Sequence, residues 1–222
     1  MATNKRVLGR IGFYLGLAAF LIITLFPFFV MLMTSFKSAR EAISLHPTIL
    51  PQEWTLQHYI DIFNPLIFPF VDYFRNSMVV SLTSSIVAVF LGTLGAYALS
   101  KLRFKGRTTI NASFYTVYMF SGILLVVPLF KIITALGIYD TELALIITMV
   151  TQTLPTAVFM LRSYFDTIPD EIEEAAMMDG LNRLQIIFRI TVPLAISGLV
   201  SVFVYCFMVA WNDYLFASIF LS

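Results

Sequence analysis

Long apolar runs, separated by short polar segments, dominate the pattern along the chain. The apolar runs cover residues 11–36, 76–99, 109–130, 143–161 and 190–210. Each has roughly 19 to 26 residues, and about 20 residues of α-helix cross a hydrocarbon core of about 30 Å. Strand-like segments of about ten alternating residues are absent from the sequence. The pattern predicts an all-α fold, a polytopic transmembrane bundle with five spans in one membrane domain, 1–222.

The N-terminal run is predicted to be a retained first span and not a removable signal. It follows Lys5, Arg6 and Arg10 and extends over 11–36. The apolar part of a secretory signal is only about 7–15 residues long. No small-residue cleavage pattern follows this run.

Composition narrows the class further. Hydrophobic residues make up 59% of the 222 residues and charged residues 12%, whereas soluble domains have about 25% charged residues. The net charge of +1 offers no basic footprint for nucleic acid. One Cys excludes an internal disulfide framework, and two His leave little for a metal site. A conventional soluble enzyme is therefore excluded.

The distribution of Lys and Arg predicts the orientation. With a cytoplasmic N-terminus, ten of the fourteen basic residues lie inside: Lys5, Arg6, Arg10, Lys101, Arg103, Lys105, Arg107, Arg162, Arg183 and Arg189. The reverse topology would place only the other four inside: Lys37, Arg40, Arg75 and Lys131. Positive residues favour the cytoplasmic side of short loops. We therefore expect a cytoplasmic N-terminus and a cytoplasmic 101–107 segment.

The predicted outer loop, 37–75, is too long for a simple turn and contains several Pro and aromatic residues. Two interpretations stay open. Aromatic residues gather at the headgroup level of membranes, and the same residues could form a surface that docks a soluble partner.

The predicted cytoplasmic loop, 163–189, is strongly acidic. It contains six of the thirteen acids of the chain: Asp166, Asp170, Glu171, Glu173, Glu174 and Asp179. Pro169 suits the start of a helix and Gly180 its end. Four small or apolar residues share a helical spacing: Ile168, Ile172, Ala175 and Ala176. We expect a short amphipathic helix that approaches a basic protein surface, because an acidic face repels anionic lipid.

A spaced motif in this loop carries a family resemblance. Its members are Glu174, Ala175, Ala176, Gly180, Ile190, Val192 and Pro193. The spacing resembles the Glu-Ala-Ala (EAA) coupling loop of the permease subunits of bacterial ATP-binding-cassette (ABC) importers, with Val192 where Leu is commoner. The resemblance implies an ATPase-coupling element with these members: Asp170, Glu171, Glu174, Ala175, Ala176, Gly180, Ile190 and Pro193.

Three further segments, 97–104, 136–141 and 211–217, resemble sugar permeases of the maltose G-type group. The resemblance covers the chain and implies the type I importer architecture in a bacterial inner membrane. It implies a binding-protein-dependent sugar importer without catalysis or a cofactor of its own. A separate ATPase dimer would bind ATP and Mg²⁺, and the sequence has no phosphate-binding loop. The other partners implied are a sugar-binding protein and a second permease, identical or different, with a different one favoured. A permease for a non-sugar solute is the alternative.

Members of the resembled group have six spans and run some fifty residues further. The resemblance therefore predicts a C-terminally truncated chain that lacks the last span.

Candidate residues for a substrate path are polar or aromatic and lie in or near the spans: Gln152, Tyr115, Tyr118, Asn212 and Asp213. Polar groups within spans are functional candidates, and a sugar needs hydrogen-bonding groups and aromatic faces. Lipid contact or helix packing is the alternative for the tyrosines. Interfacial solvation is the alternative for Asn212 and Asp213.

Two rival classes have little support in the sequence. A secondary transporter commonly has membrane repeats and buried ionisable residues, but the apolar runs carry almost no charge. An intramembrane enzyme needs paired catalytic groups within spans, whereas His46 and His58 both lie in the predicted outer loop.

Overall fold

The computed structural model describes residues 2–45, 47–119 and 122–221, and it describes the side chains of these ranges except 2–8, 115, 118 and 119. These ranges contain helices and no strand, so the all-α class is confirmed. The helices are α1 Ala2–Ser35, α2 Ala39–Ala42, α3 Gln57–Ile62, α4 Phe70–Lys101, α5 Arg107–Met119, α6 Val126–Ala135, α7 Glu142–Phe165, α8 Asp170–Met178, α9 Arg183–Ile186, α10 Val192–Leu194, α11 Ile196–Trp211 and α12 Leu215–Phe220. A 3₁₀ turn, Gly122–Leu125, precedes α6, and a π segment, Ile187–Thr191, joins α9 to α10.

Within the described ranges, three helices are long and apolar enough to cross a membrane: Gly9–Ser35, Phe70–Lys101 and Glu142–Phe165. A bent pair, Arg183–Leu194 and Ile196–Trp211, adds a fourth span if it is counted as one. The run predicted as the third span, 109–130, is covered by α5, the 3₁₀ turn and the first part of α6, which are shorter.

The run predicted as the fifth span, 190–210, contains a sharp bend. The two helical parts meet at 85°, next to Ala195, which has non-helical backbone angles. Pro193 lies two residues earlier and has no N–H to donate to the carbonyl four residues back. The π segment directly precedes this position, and sharp bends in helices occur at prolines and π-type irregularities.

The chain divides into two compact units, Met1–Asp72 and Tyr73–Ser222. In the first unit, the segment after α1 is held by hydrogen bonds around Glu41. Thr48 Oγ1 donates to Glu41 Oε1 over 2.5 Å, and the amide of Gln52 donates to the same oxygen over 3.1 Å. Phe36 contacts the rings of Trp54 and Tyr59, with centroids 5.7 and 5.8 Å away. The segment is therefore ordered by its own contacts.

Small residues let the helices of the second unit approach closely. The buried positions of α4 are mostly small or hydroxylated: Val80, Ser81, Ser84, Ser85, Ala88, Gly92, Thr93, Ala96, Tyr97 and Leu99. A Cβ on Gly92 would lie 3.2 Å from Cβ of Ala157 on α7, and one on Gly198 would lie 2.5 Å from the ring of Tyr164. Helices in lipid associate through such close van der Waals packing.

The buried side chains of this unit form two clusters. One joins α4, α7, α8 and α11 and includes Tyr97, Phe165, Ala176 and Cys206. The other joins α6, α7 and α12 and includes Ile133, Met149 and Phe220, whose ring stacks on exposed Phe130 with centroids 6.2 Å apart. The first cluster adjoins the acidic loop, and the second lies toward the opposite end of α7.

Candidate functional site

The acidic loop, 163–189, is built around the short helix α8. Pro169 immediately precedes the helix, and the acids of its first turn complement the positive end of the helix dipole. The helix ends in a Schellman arrangement at Gly180, whose φ is +83°. The amide of Gly180 donates to Met177 O over 3.0 Å, and that of Leu181 donates to Ala176 O over 3.1 Å. A Cβ built on Gly180 would have no described neighbour within 4 Å, so the positive φ, and not lack of space, is what favours glycine here.

One face of α8 is turned into the second unit. Glu173 and Ala176 are buried, and so is Ile168 just before the helix. The predicted apolar face is therefore only partly observed, because Ile172 and Ala175 are exposed. The helix is oriented so that the Glu173 carboxylate faces the interior of the second unit. A search for apolar residues at helical spacing could not identify an acidic residue on the buried face.

Glu173, only 3% exposed, accepts hydrogen bonds from two different elements. Tyr97 Oη of α4 donates to its Oε2 over 2.9 Å, and Thr191 Oγ1 of the π segment donates to its Oε1 over 3.2 Å. Arg183 of α9 completes the set with its Nη1 3.8 Å from Glu173 Oε2. A buried carboxylate needs such partners to offset its desolvation. Sequence reasoning missed Glu173, and the available signal was its spacing of three residues from Ala176.

A second tie joins the end of α4 to the start of α8. Lys101 Nζ lies 2.7 Å from Asp170 Oδ1 and donates to Ile168 O over 2.5 Å. The Lys101 side chain is 5% exposed and that of Asp170 is 69% exposed. The hydrogen bond from Lys101, with its positive charge, holds the pKa of Asp170 below its ordinary value. Ser100 Oγ also donates to Asp166 Oδ1 over 2.6 Å, so α4 is tied to the loop at two adjacent residues.

The outward face of α8 carries exposed Glu171, Glu174 and Ala175, followed by Met178, which is 88% exposed. This face presents two carboxylates beside small and flexible apolar side chains. Of the other predicted coupling residues, Ala176 is buried, Asp170 pairs with Lys101, Ile190 is half-buried, and Gly180 and Pro193 are exposed. The loop can therefore hold on to its own spans with one face and offer the other face to a partner.

The predicted substrate-path residues lie in separate places. Gln152 lines a small cavity of about 170 Å³ with Tyr205, and among the described atoms its Nε2 has no hydrogen-bond partner. Asn212 is exposed and donates to Met208 O over 2.8 Å. Asp213 lines a different cavity. The side chains of Tyr115 and Tyr118 lie outside the described residues, although both positions belong to α5.

Apolar helices of membrane-spanning length define the chain as an integral membrane protein, and the acidic helix α8 lies next to them. The chain belongs to the family of binding-protein-dependent transport system inner membrane components, which matches residues 88–222. It is a transport component, and a separate ATPase carries out ATP hydrolysis.

Three relatives illustrate the similarity. The chain is 90% identical over 222 residues to the inner membrane ABC transporter permease protein YcjP of Escherichia coli (strain K12), covering 100% of this chain and 79% of that protein. It is 35% identical over 217 residues to the trehalose/maltose transport system permease protein MalG of Thermococcus litoralis, covering 98% of this chain and 77% of that protein. A crystal structure of a bacterial ABC transporter involved in the import of the acidic polysaccharide alginate superposes with a TM-score of 0.83 at 26% identity, covering 99% of this chain and 76% of that one.

Proposed function

We propose that this chain is the permease subunit of a sugar importer and that α8 couples it to the ATPase. The sugar class is supported by relatives named for trehalose and maltose transport, including the trehalose permease SugB of Mycobacterium tuberculosis, 37% identical over 183 residues. The observation that carries the coupling role is the division of α8 into two faces. Glu173 is tied inward, whereas Glu171 and Glu174 are exposed.

The proposed partners follow from this assignment. An ATPase dimer, with ATP and Mg²⁺ on its own subunits, receives the outward face of α8. A sugar-binding protein delivers the substrate to the opposite side of the membrane, and a second, different permease completes the path. The N-terminus is cytoplasmic, which the excess of Lys and Arg on that side supports.

The ties of the acidic loop give the coupling a physical basis. When the ATPase closes on ATP and moves α8, Glu173 pulls on Tyr97 of α4 and Thr191 of the π segment. Lys101 resists separation of α8 from the end of α4. The bend after the π segment supplies a place where α11 can change its angle. Alternating access needs two such states that the partners bind with different affinity.

Charge reversal on the outward face tests the docking role. Glu174→Lys would set a positive charge against the basic surface that we expect on the ATPase. Gly180→Glu would add a side chain to the contact and strain the left-handed turn. A like-charge contact can cost several kcal/mol, so we expect captured ATPase to fall about a hundredfold. The measurements are pull-down of the ATPase and substrate-stimulated ATP hydrolysis.

The matched control is Arg75→Glu, a charge reversal at an exposed residue near the other end of α4. It should leave ATPase capture unchanged. Full coupling in both loop variants would contradict the assignment of 163–189 as the coupling element.

Orientation is tested by cysteine labelling in intact cells. Cys206, the single cysteine, is replaced by Ala, and exposed Arg103 is then changed to Cys. A membrane-impermeant maleimide should fail to label Arg103→Cys and should label the outer-loop control Glu53→Cys. Ready labelling at 103 would reverse the proposed topology.

A further inference from the structure

A cavity of about 470 Å³ lies at the end of α4 and α7 remote from the acidic loop. Its polar lining comes from three places in the second unit. Asn76 and Ser77 belong to α4, Asp140 and Glu142 lie at the start of α7, and Asp213 follows α11. This volume falls within the range of about 300–1,000 Å³ that small-molecule sites occupy.

Backbone hydrogen bonds hold two of the acidic residues around the cavity, Asp140 through its amide and Asp213 through its carboxylate. Asp140 has a left-handed φ of 61°, and its amide donates to Phe220 O over 3.0 Å. Next to it, Thr141 caps α7, and its Oγ1 accepts from the amide of Ala144 over 3.3 Å. Asp213 Oδ2 accepts from the amide of Ala217 over 3.1 Å. Burial raises the pKa of Asp213, although amides of Ala217 and Phe216 act in the opposite direction.

Trp211 supplies an aromatic surface to the same cavity. Its ring is stacked with Phe207 and meets the edge of Phe74, and both centroid distances are 5.6 Å. The Trp211 side chain is 38% exposed, so part of it is accessible to a ligand. Indole offers a broad apolar face together with one N–H donor, which suits the C–H face and the hydroxyls of a sugar ring.

The charge of the lining selects among ligand classes. Among the described residues, three carboxylates line the cavity and no Lys or Arg does. An anionic ligand would face like charges in a partly desolvated space, which is costly. A metal ion has no support, because the described residues contain no group of three or more His, Cys, Asp or Glu able to hold one. Neutral hydroxyl donors satisfy carboxylate acceptors without adding charge.

We propose that this cavity is a binding site for a neutral sugar, with Asn76, Asp213 and Glu142 holding its hydroxyls and Trp211 packing against a ring face. The assignment rests on the sugar-importer function proposed above. It adds a ligand site remote from the coupling loop and a selectivity for neutral over acidic sugars.

Fluorescence of Trp211 in the full chain, purified in detergent, gives a direct test. The chain has two Trp residues, so Trp54→Phe leaves Trp211 as the reporter. Glucose, maltose and trehalose are titrated as neutral probes and galacturonic acid as the acidic probe. At least one neutral sugar should give a saturable change, with galacturonic acid binding at least tenfold more weakly. No saturable change with any neutral probe, or equal binding of galacturonic acid, would overturn the proposal.

Two variants locate the site. Asn76→Leu removes the amide, and Asp213→Asn keeps an acceptor for the Ala217 amide while removing the charge. Each should weaken binding at least tenfold with unchanged helical content. The control Tyr214→Phe, at a neighbouring residue that is 81% exposed, should bind normally. Unchanged affinity in both site variants would refute the assignment. If the chain binds no neutral sugar in this cavity but still captures the ATPase, the cavity assignment is wrong and the coupling role of α8 is unaffected.

Discussion

The two ends of the α4–α7 pair use similar polar residues in different ways. Next to the acidic loop, the polar groups bind one another, and Glu173 is 3% exposed with partners on three elements. At the other end, Asn76, Glu142 and Asp213 line a cavity of about 470 Å³. A filled polar network is rigid and transmits displacement, whereas polar groups around a cavity remain available to a ligand.

The largest effect is expected for Glu173→Leu. It removes the acceptor of Tyr97 and Thr191 and leaves Arg183 without its carboxylate. Leaving the buried Tyr97 and Thr191 hydroxyls unsatisfied costs about 1–3 kcal/mol each. We expect a large fall in thermal stability and loss of substrate-stimulated ATP hydrolysis. Glu173→Gln keeps one acceptor oxygen and replaces the other with an NH2 donor, so its stability should lie between those of the parent and Glu173→Leu. Equal stability of Glu173→Leu and the parent would show that the tie is unimportant.

Phe220→Ala probes the cavity end. Phe220 is fully buried and stacks on Phe130, and its carbonyl accepts the amide of Asp140. Truncation of a buried Phe costs about 3 kcal/mol or somewhat more. The expected signature is lost stability and weaker neutral-sugar binding, with ATPase capture intact at low temperature. If ATPase capture fell while sugar binding survived, the functional separation of the two ends would be wrong.

Gly198→Ala tests the close packing of α11 on α7. A Cβ at this position would lie 2.5 Å from the Tyr164 ring, and overpacking of this kind costs about 1–3 kcal/mol. Its control is Gly16→Ala, where no described atom lies within 4 Å of the new Cβ. The midpoint of thermal denaturation in detergent should be lower than that of the parent for Gly198→Ala and unchanged for Gly16→Ala. Equal midpoints would remove the case for tight packing.

The smallest effect concerns the Lys101–Asp170 tie. Because Lys101 lowers the pKa of Asp170, the pair stabilises the folded loop above the ordinary Asp value of 3.8. That contribution disappears as the pH falls through the lower folded-state pKa. An acid-active protease should therefore cleave the acidic loop of the parent faster once the pH falls below the ordinary pKa of Asp170. Asp170→Asn should be cleaved faster already at neutral pH, and the difference between the two chains should shrink in acid. A difference that grows in acid would contradict the sign.

The apolar runs alone indicated the helical class, because about 20 residues of apolar helix match the hydrocarbon thickness. Pro169 and Gly180 marked the limits of α8, since proline fixes its own φ and glycine readily adopts the left-handed φ that ends a helix. The motif spacing around Glu174 indicated the family, which the match over 88–222 confirms. These features depend on residues close together in the chain.

Tertiary structure decided which polar groups face inward. Apolar periodicity fails here because lipid-facing positions are as hydrophobic as buried ones, and α4 buries small residues such as Ser85 and Gly92. Glu173 and Glu174 are adjacent acids, yet only the first meets Tyr97, which lies 76 residues away in the chain. Likewise, the cavity brings Asn76 close to Asp213. Such neighbours arise only when helices distant in sequence pack together, so no local pattern could have identified them.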